Sequence, residues 1–303
     1  MIARVTPPLP RPAASPAADF LSAFRLFLSP QCKLPIWDFI KYFAGLGATR
    51  AGYVGEKRTV DFSAYFRAYD KTTASLVPYR QMLERIVELL ELKGGEWVVD
   101  LASGTGNLSL LLKAKGADVL SLDCLAAAGR IHQEKDPAAR TLLVNLDRPD
   151  SQLGFIPLPD QSVDRVGGSN FRAYIKNPQT LWQEVKRILK PGGFMVIDVE
   201  KTGHSPTKIL IAHLTAEYQR YRRQGEAELT AAVKVYCDFI ANYEALLITA
   251  EETKKFIRGL AVGEYTSFLE PQIRQELAAS GWRVVQTEAA DAGQAIIVKA
   301  FPA

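Results

Sequence analysis

The sequence predicts an α/β fold built on a doubly wound, mainly parallel sheet of seven strands. Three observations predict it. Short apolar segments with strand character alternate with segments of helical periodicity between residues 97 and 200. One junction, Val98-Val99-Asp100-Leu101-Ala102-Ser103-Gly104-Thr105-Gly106-Asn107, passes from an apolar strand through a small-residue turn into the aliphatic run Leu108 to Leu112. A second strand, Val119 to Leu122, then ends on Asp123, 23 residues after Asp100, which completes one βαβ unit.

Taken in order, Met1 to Ala18 is broken by prolines and has no continuous apolar stretch, so residues 1–18 are expected to be a disordered tail without a signal peptide. Residues 19–61 are expected to form an N-terminal helical flap. Phe20, Leu21, Phe24, Phe27 and Leu28 precede Pro30, and Ile36, Trp37, Phe39, Ile40, Tyr42 and Phe43 follow it at helical spacing. Those apolar sides suit packing on the body, a homodimer contact, a cover over a lipophilic substrate or a peripheral membrane contact, and the sequence leaves the four open. Tyr65, Phe66, Tyr69 and Asp70 come next, with the aromatics placed to close over a ligand. An amphipathic helix follows, carrying Met82, Leu83, Ile86, Val87, Leu89 and Leu90, and Gly94-Gly95 stops it.

Beyond the first βαβ unit, Leu125 to Lys135 reads as a helix and Thr141 to Leu146 as a third strand with Asp147 at its end. A linker, Arg148 to Gln161, leads to a fourth strand, Val163 to Val166, that exits through Gly167-Gly168-Ser169-Asn170. Helix Thr180 to Leu189, the turn Lys190-Pro191-Gly192-Gly193 and a fifth strand, Phe194 to Val199, follow. Helix Pro271 to Ala279 and strands Arg283 to Thr287 and Ala295 to Ala300 close the chain.

Composition narrows the class. With 303 residues, 48% hydrophobic and 23% charged, the chain can bury a sizeable core. The net charge of +4 is modest, and Arg220, Arg222 and Arg223 are the one compact basic cluster, so a nucleic-acid partner is not favoured. Cys32, Cys124 and Cys237 are too few and scattered for a disulfide framework or a metal cage, which points to a reducing, cytoplasmic setting and no bound metal. No apolar run reaches the roughly 18 residues that a membrane-spanning helix needs.

The small-residue turn has a chemical logic. Ala102, Gly104 and Gly106 lack bulk, so a ligand can approach the backbone closely, while Thr105 and Asn107 offer a hydroxyl and an amide at the helix start. Asp123 is placed to accept from both hydroxyls of a ribose. The pattern is D-x-A-x-G-x-G, which departs from G-x-G-x-x-G.

Four ordered motifs then carry a resemblance: Val98 to Gly106; Asp123; Ile156-Pro157-Leu158-Pro159-Asp160-Gln161-Ser162-Val163-Asp164-Arg165-Val166; and Val185-Lys186-Arg187-Ile188-Leu189-Lys190-Pro191-Gly192-Gly193. Over residues 62–200 and the last strands the chain resembles the class I S-adenosylmethionine-dependent methyltransferases. It is similar in particular to the subgroup around the ubiquinone/menaquinone C-methyltransferases. The resemblance implies a Rossmann-like methyltransferase fold and S-adenosylmethionine as cofactor. It further implies that Asp100, Ala102, Ser103, Gly104, Thr105 and Gly106 surround the methionine and ribose part, that Asp123 holds the ribose hydroxyls, and that Asp147 lies beside the adenine amino group. Asn145 and the backbone of Leu146 are alternatives for that last role. Ser169 and Asn170 are implied to face the methyl-transfer centre. Ala102 stands where the family usually has its first glycine, and the spacing from Asp147 to Asp164 is longer than usual.

Residues 201–267 depart from the minimal fold and are expected to form a helical lid over the carboxyl ends of the strands, where α/β sheets bind ligands. The core is thus 62–200 with 268–303. Within the lid, Ile209, Leu210, His213, Leu214, Glu217, Tyr218 and Tyr221 mark one helix, and Leu229, Val233, Tyr236, Ile240, Tyr243 and Leu247 a second. Thr249 with Glu252 reads as a capping box for a third helix that Gly259 ends.

Methyl transfer from a sulfonium needs chiefly positioning and exclusion of water, with a base where the acceptor carries a proton. His204, Glu200 and Tyr265 are the candidate catalytic residues, with Tyr218 and Tyr243 nearby in sequence; His213 suits a packed core position. Ser169-Asn170-Phe171-Arg172 is unlike the Asn-Pro-Pro-Tyr type of sequence that grips a nucleic-acid base, and Asp198 with Glu200 alone is thin for a metal site. A small, hydrophobic organic acceptor is therefore expected. An RNA or protein methyltransferase, or a module that binds the cofactor without transferring methyl, are the alternatives.

Overall fold

The computed structural model describes residues 62–147 and 154–303, so the expected tail and flap over 1–61, and the linker residues 148–153, lie outside the described residues. Helices α1 (Phe62–Lys71) and α2 (Val77–Leu89) lead into β1 (Trp97–Leu101), followed by α3 (Asn107–Ala114), β2 (Asp118–Asp123), α4 (Ala126–Lys135) and β3 (Arg140–Leu143). Next come β4 (Val163–Gly168), α5 (Pro178–Ile188) and β5 (Leu189–Glu200). Three helices, α6 (Pro206–Arg223), α7 (Glu228–Ile240) and α8 (Tyr243–Val262), separate β5 from α9 (Glu270–Ala279), β6 (Trp282–Ala290) and β7 (Ala295–Pro302).

The seven strands form one sheet in the order β3-β2-β1-β4-β5-β7-β6. All run parallel except β7, which is antiparallel to both β5 and β6, so the sheet is mixed. Helices cover both faces. Val99, Val166, Met195 and Ile197 look toward α5 and α9 around the fully buried Trp182, whereas Val98, Val196 and Ile297 pack on α2 and α3 through Met82, Ile86 and Leu112. Each such aliphatic side chain, taken from water to full burial, contributes about 1.5–3 kcal/mol. The strand order reverses between β1 and β4, and the crevice at their carboxyl ends is where an open α/β sheet takes a ligand.

Several elements differ from expectation. Strand β5 starts at Leu189, so Lys190 to Gly193 lies inside it as a bulge; Val163 pairs Leu189 before the register shifts to Arg165 with Phe194. A Cβ on Gly193 would meet the Asp164 carbonyl oxygen at 3.0 Å, so this part of the chain stays against β4 and does not turn away. Thr249 caps nothing. It lies inside α8, where its hydroxyl bonds back to the carbonyls of Ala245 (3.0 Å) and Leu246 (3.1 Å), as mid-helix threonines do, and meets Thr72 Oγ1 at 3.2 Å. Gly259 does not end that helix either. The ring of Tyr265 occupies the place of its missing Cβ, at 2.2 Å, and the left-handed residue that ends α8 is Gly263 (φ 77°).

The three helices after β5 are tied to the start of the described chain. α8 lies against α1 and α6 against α2, and the Val77 N–H donates to His213 Nδ1 at 3.3 Å. That contact makes His213 a neutral acceptor in a packed position, and burial first of all holds its pKa down. Among the described residues no helix is long and apolar enough to cross a membrane.

Candidate functional site

The turn after β1 is held in a form that few residues adopt. Ala102 (φ 50°), Gly104 (φ 53°) and Gly106 (φ 80°) all lie in the left-handed region. For Ala102 this conformation costs roughly 1–2 kcal/mol that a glycine would not incur, a strain typical of functional turns. Its neighbours fix it: Ser103 N–H donates to the Leu122 carbonyl and Gly106 N–H to the Ser103 carbonyl, both at 2.8 Å. At Gly104 a Cβ would meet nothing within 4 Å, so the turn opens on free space there. At Gly106 it would run into the buried His132 ring at 2.2 Å.

Asp123 joins this turn to the end of β2. It accepts from Gly104 N–H through Oδ2 and from Leu125 N–H through Oδ1, each at 2.8 Å. Burial raises its pKa, and those N–H groups work against the shift. The cleft beside it is lined by Ser103, Asp123, Leu125, Arg130 and Leu143. Leu143, 65% exposed at the end of β3, is an apolar platform of the kind a flat heterocycle covers. Asp147 is not part of that lining. Its Oδ1 accepts from the N–H groups of Lys176 (2.8 Å) and Asn177 (2.9 Å) ahead of α5, while Asn145 Oδ1 takes Asp147 N–H.

Asp100 sits beneath the turn, 1% exposed, where it accepts from Ser109 Oγ at 2.5 Å; that hydroxyl also meets Ser121 Oγ at 2.7 Å. Burial pushes its carboxyl up to about 7, against the Ser109 hydrogen bond. A residue at this turn that the sequence reading only brushed past is Asp70, at the end of α1. Thr105 Oγ1 (2.5 Å) and Asn107 Nδ2 (3.1 Å) donate to its Oδ1, and Lys135 Nζ (3.0 Å) to its Oδ2. Asp70 thereby clasps α1 across the turn. The available signal was its place directly after Tyr65, Phe66 and Tyr69.

The second half of the site comes from the ends of β4 and β5. Asn170 takes a left-handed turn (φ 54°), donates its N–H to the Asp198 carboxylate at 3.2 and 3.3 Å, and sends Nδ2 to Tyr69 Oη at 3.4 Å. Ser169 precedes it as a half-buried residue. Asp198 and Glu200 alternate with Val199, so both lie on the face of β5 that carries Val196. Burial above all pushes the Asp198 carboxyl up to about 7 and that of Glu200 up to about 8. Glu200 is 5% exposed, and its Oε2 has no hydrogen-bond partner.

Near the end of β5, where Phe268 N–H donates to the Glu200 carbonyl and Thr266 N–H to that of Ala173, the rings of Tyr174, Phe256 and Tyr265 gather. Tyr174 lies 4.9 Å from Tyr265 and 5.6 Å from Phe256, and Phe256 stacks on Tyr265 at 5.5 Å. Tyr174 is 47% exposed, yet burial pushes its phenol pKa well up, with Tyr65 and Glu200 adding to the shift. His204 borders this group, edge-on to Phe256 at 6.0 Å, with Nδ1 at 3.3 Å from the Gln294 carbonyl; burial lowers its pKa. The structure thus brings Glu200, Tyr265 and His204 around one aromatic cluster. The side chain of Tyr243 lies outside what is described, and Tyr218 is buried within α6.

Comparison with known proteins agrees with this geometry. Residues 99–197 match the family described as a methyltransferase domain. A demethylmenaquinone methyltransferase of Clavibacter sepedonicus is 33% identical over 141 residues, which are 45% of this chain and 55% of that protein. A malonyl-[acyl-carrier protein] O-methyltransferase of Marinomonas is 29% identical over 150 residues, 46% of this chain and 53% of that protein. The chain therefore spans about half the length of the curated relatives it matches. Among solved structures, a SAM-dependent methyltransferase from Aquifex aeolicus superposes with a TM-score of 0.52 at 15% identity, covering 80% of this chain and 98% of that one. That likeness speaks for the fold.

The residues present suit S-adenosylmethionine. Gly104 leaves room against its backbone, and Asp123 stands at the mouth of the cleft where a diol would lie. Leu143 offers an exposed apolar surface for adenine.

Proposed function

We propose that this chain, whose residues 99–197 match a methyltransferase domain, moves the methyl group of S-adenosylmethionine to a small, hydrophobic organic acceptor by direct displacement. The single observation that carries this reading is the aromatic cluster beside the end of β5: Tyr174, 47% exposed, lies against Phe256 of α8 and against Tyr265. Helices α6 to α8 act as a lid in this reading, and the interlocked rings exclude water while the acceptor is aligned.

Each residue has a role here. Ala102, Ser103, Gly104, Thr105 and Gly106 form the backbone cradle, Asp123 takes the ribose hydroxyls, and Asn170, aligned by Asp198, borders the transfer centre together with Ser169. Asp147 acts from behind by fixing the approach to α5, since its carboxylate is already bound to Lys176 and Asn177 N–H. Glu200 takes the acceptor's proton. His204, kept neutral by burial, and Tyr265 shape the recess.

Radiolabelled S-adenosylmethionine, incubated with the protein and a panel of small aromatic and aliphatic acceptors, tests the proposal. Label carried into an organic-extractable product supports it. Cofactor binding with no transfer to any acceptor class would leave a binding module in its place.

A further inference from the structure

We propose that the acceptor is an organic cation, a primary or secondary amine on an apolar body, whose ammonium group seats between Glu200 and the aromatic wall of the recess. This rests on the methyl-transfer reading above and names the chemistry of its second substrate.

The geometry comes first. Glu200 is the last residue of β5, 5% exposed, and its buried Oε2 is left without a hydrogen-bond partner. A buried carboxylate oxygen with no donor costs free energy unless a ligand supplies one. Tyr174 is the ring near enough to feel its charge, with Phe256 and Tyr265 packed behind that ring. Aromatic faces attract a desolvated cation and offer an anion nothing.

The charge balance points the same way. Asp198, two residues back on the same face, adds negative potential to that of Glu200. The cation that faces them, Arg172, is already committed: its Nε donates to Glu276 Oε1 at 2.8 Å, its Nη2 pairs with Glu276 Oε2, and its guanidinium lies over the Phe268 ring at 4.9 Å. Across the recess Glu252 is paired with Lys255 at 2.5 Å, and His204 is held neutral. Among the described residues the cations that face this group, Arg172 and Lys255, are each already paired with an acid. Among the described residues no three carboxylate, histidine or cysteine side chains converge as a metal ion requires. An ammonium group satisfies the orphaned oxygen, the carboxyl charge and the rings together.

The chemistry balances without another reagent. Glu200 gives up its own proton to solvent as the ammonium docks, and the carboxylate then accepts one proton from the ammonium, which leaves a neutral amine with its lone pair free. The amine nitrogen forms the N–C bond to the transferred methyl as the sulfur–methyl bond breaks, and that bond's electron pair stays on sulfur. The product is again a cation, now methylated, and the Glu200 proton leaves to solvent.

Three probes of nearly one shape and different charge test this: 2-phenylethylamine, 2-phenylethanol and 3-phenylpropanoate, each titrated calorimetrically into the full chain saturated with S-adenosylhomocysteine. The amine is expected to bind at least about tenfold more tightly than the alcohol, with the carboxylate weakest. The Glu200→Gln variant is expected to lose about tenfold for the amine and to bind the alcohol as before. Equal or tighter binding of the alcohol or carboxylate, no binding by any of the three, or an amine affinity indifferent to Glu200→Gln would each overturn the inference. S-adenosylhomocysteine binding, measured in the same samples, separates the outcomes: if it is present while the charge series fails, the amine is wrong and the cofactor reading stands, and if it is absent the broader reading fails too.

Discussion

Gly106→Ala perturbs the cofactor turn at a point where the cost can be worked out. The residue sits at φ 80°, where an L side chain loses about 1–2 kcal/mol. Its new methyl would lie 2.2 Å from the His132 ring, which is 2% exposed and packed under the turn, so the ring cannot simply swing into solvent. Overpacking of that kind costs typically 1–3 kcal/mol, so the variant should lose about 3 kcal/mol in all. Urea denaturation measures the loss, and titration with S-adenosylhomocysteine should show binding weakened by at least about tenfold as the turn is displaced. The double variant Gly106→Ala with His132→Ala removes the clash but keeps the backbone strain. It should be more stable than the sum of the two single losses by about 1–2 kcal/mol. A Gly106→Ala protein within about 0.5 kcal/mol of the parent, or strict additivity in the cycle, would refute the packing argument.

Three further outcomes follow from the same geometry. Asp70→Asn weakens the clasp on Thr105, Asn107 and Lys135, so amide exchange across residues 62–71 should quicken by about tenfold while the global melting temperature changes by only a few degrees; unchanged exchange would mean that α1 is held by its apolar contacts alone. Arg172→Ala strands Glu276, which then keeps only the Trp182 indole N–H at 2.9 Å, and should cost about 3 kcal/mol by chemical denaturation; a loss below about 1 kcal/mol would count against the buried pair. Asp100, Asp198 and Glu200 have folded pKa values raised, chiefly by burial, to about 7, about 7 and about 8, so the stability they contribute is complete below the ordinary carboxylate range and is lost as pH rises through those values. The ligand-free protein should therefore lose stability steadily between about pH 5 and pH 8, by more than the roughly 3 kcal/mol that one such carboxyl alone would give, with a shallower fall in Asp198→Asn; stability that rises over that window would contradict the shifts.

Much of this molecule is written in local pattern. The apolar runs of β1, β2 and β4 and the helical periodicity of α2 are visible because one face of each is buried, and Gly104, Gly106 and Asp123 are legible because a tight strand-to-helix turn admits few residue types. What stayed hidden depends on contacts distant in sequence. Asp70 is an ordinary acid until Thr105, Asn107 and Lys135 are brought to it. Thr249 mimics a helix cap in one dimension and is a mid-helix residue in three. Gly259 resembles a stop and is a gap left for the Tyr265 ring. Asp147 is expected beside adenine from its place after β3, and its Oδ1 also accepts from the chain leading into α5, a contact between residues about 30 positions apart. The recess itself joins Tyr65, Tyr174, Glu200, Phe256 and Tyr265, residues that no single window of sequence holds together.

The central claim is that the turn from Ala102 to Gly106 and Asp123 bind the methyl donor. Calorimetric titration of S-adenosylhomocysteine into the parent protein and into Asp123→Ala, with folding of both checked by circular dichroism, tests it most directly. Saturable one-to-one binding by the parent, weakened at least about tenfold in the folded variant, is the predicted result. No binding by the parent, or equal binding by both, would contradict it.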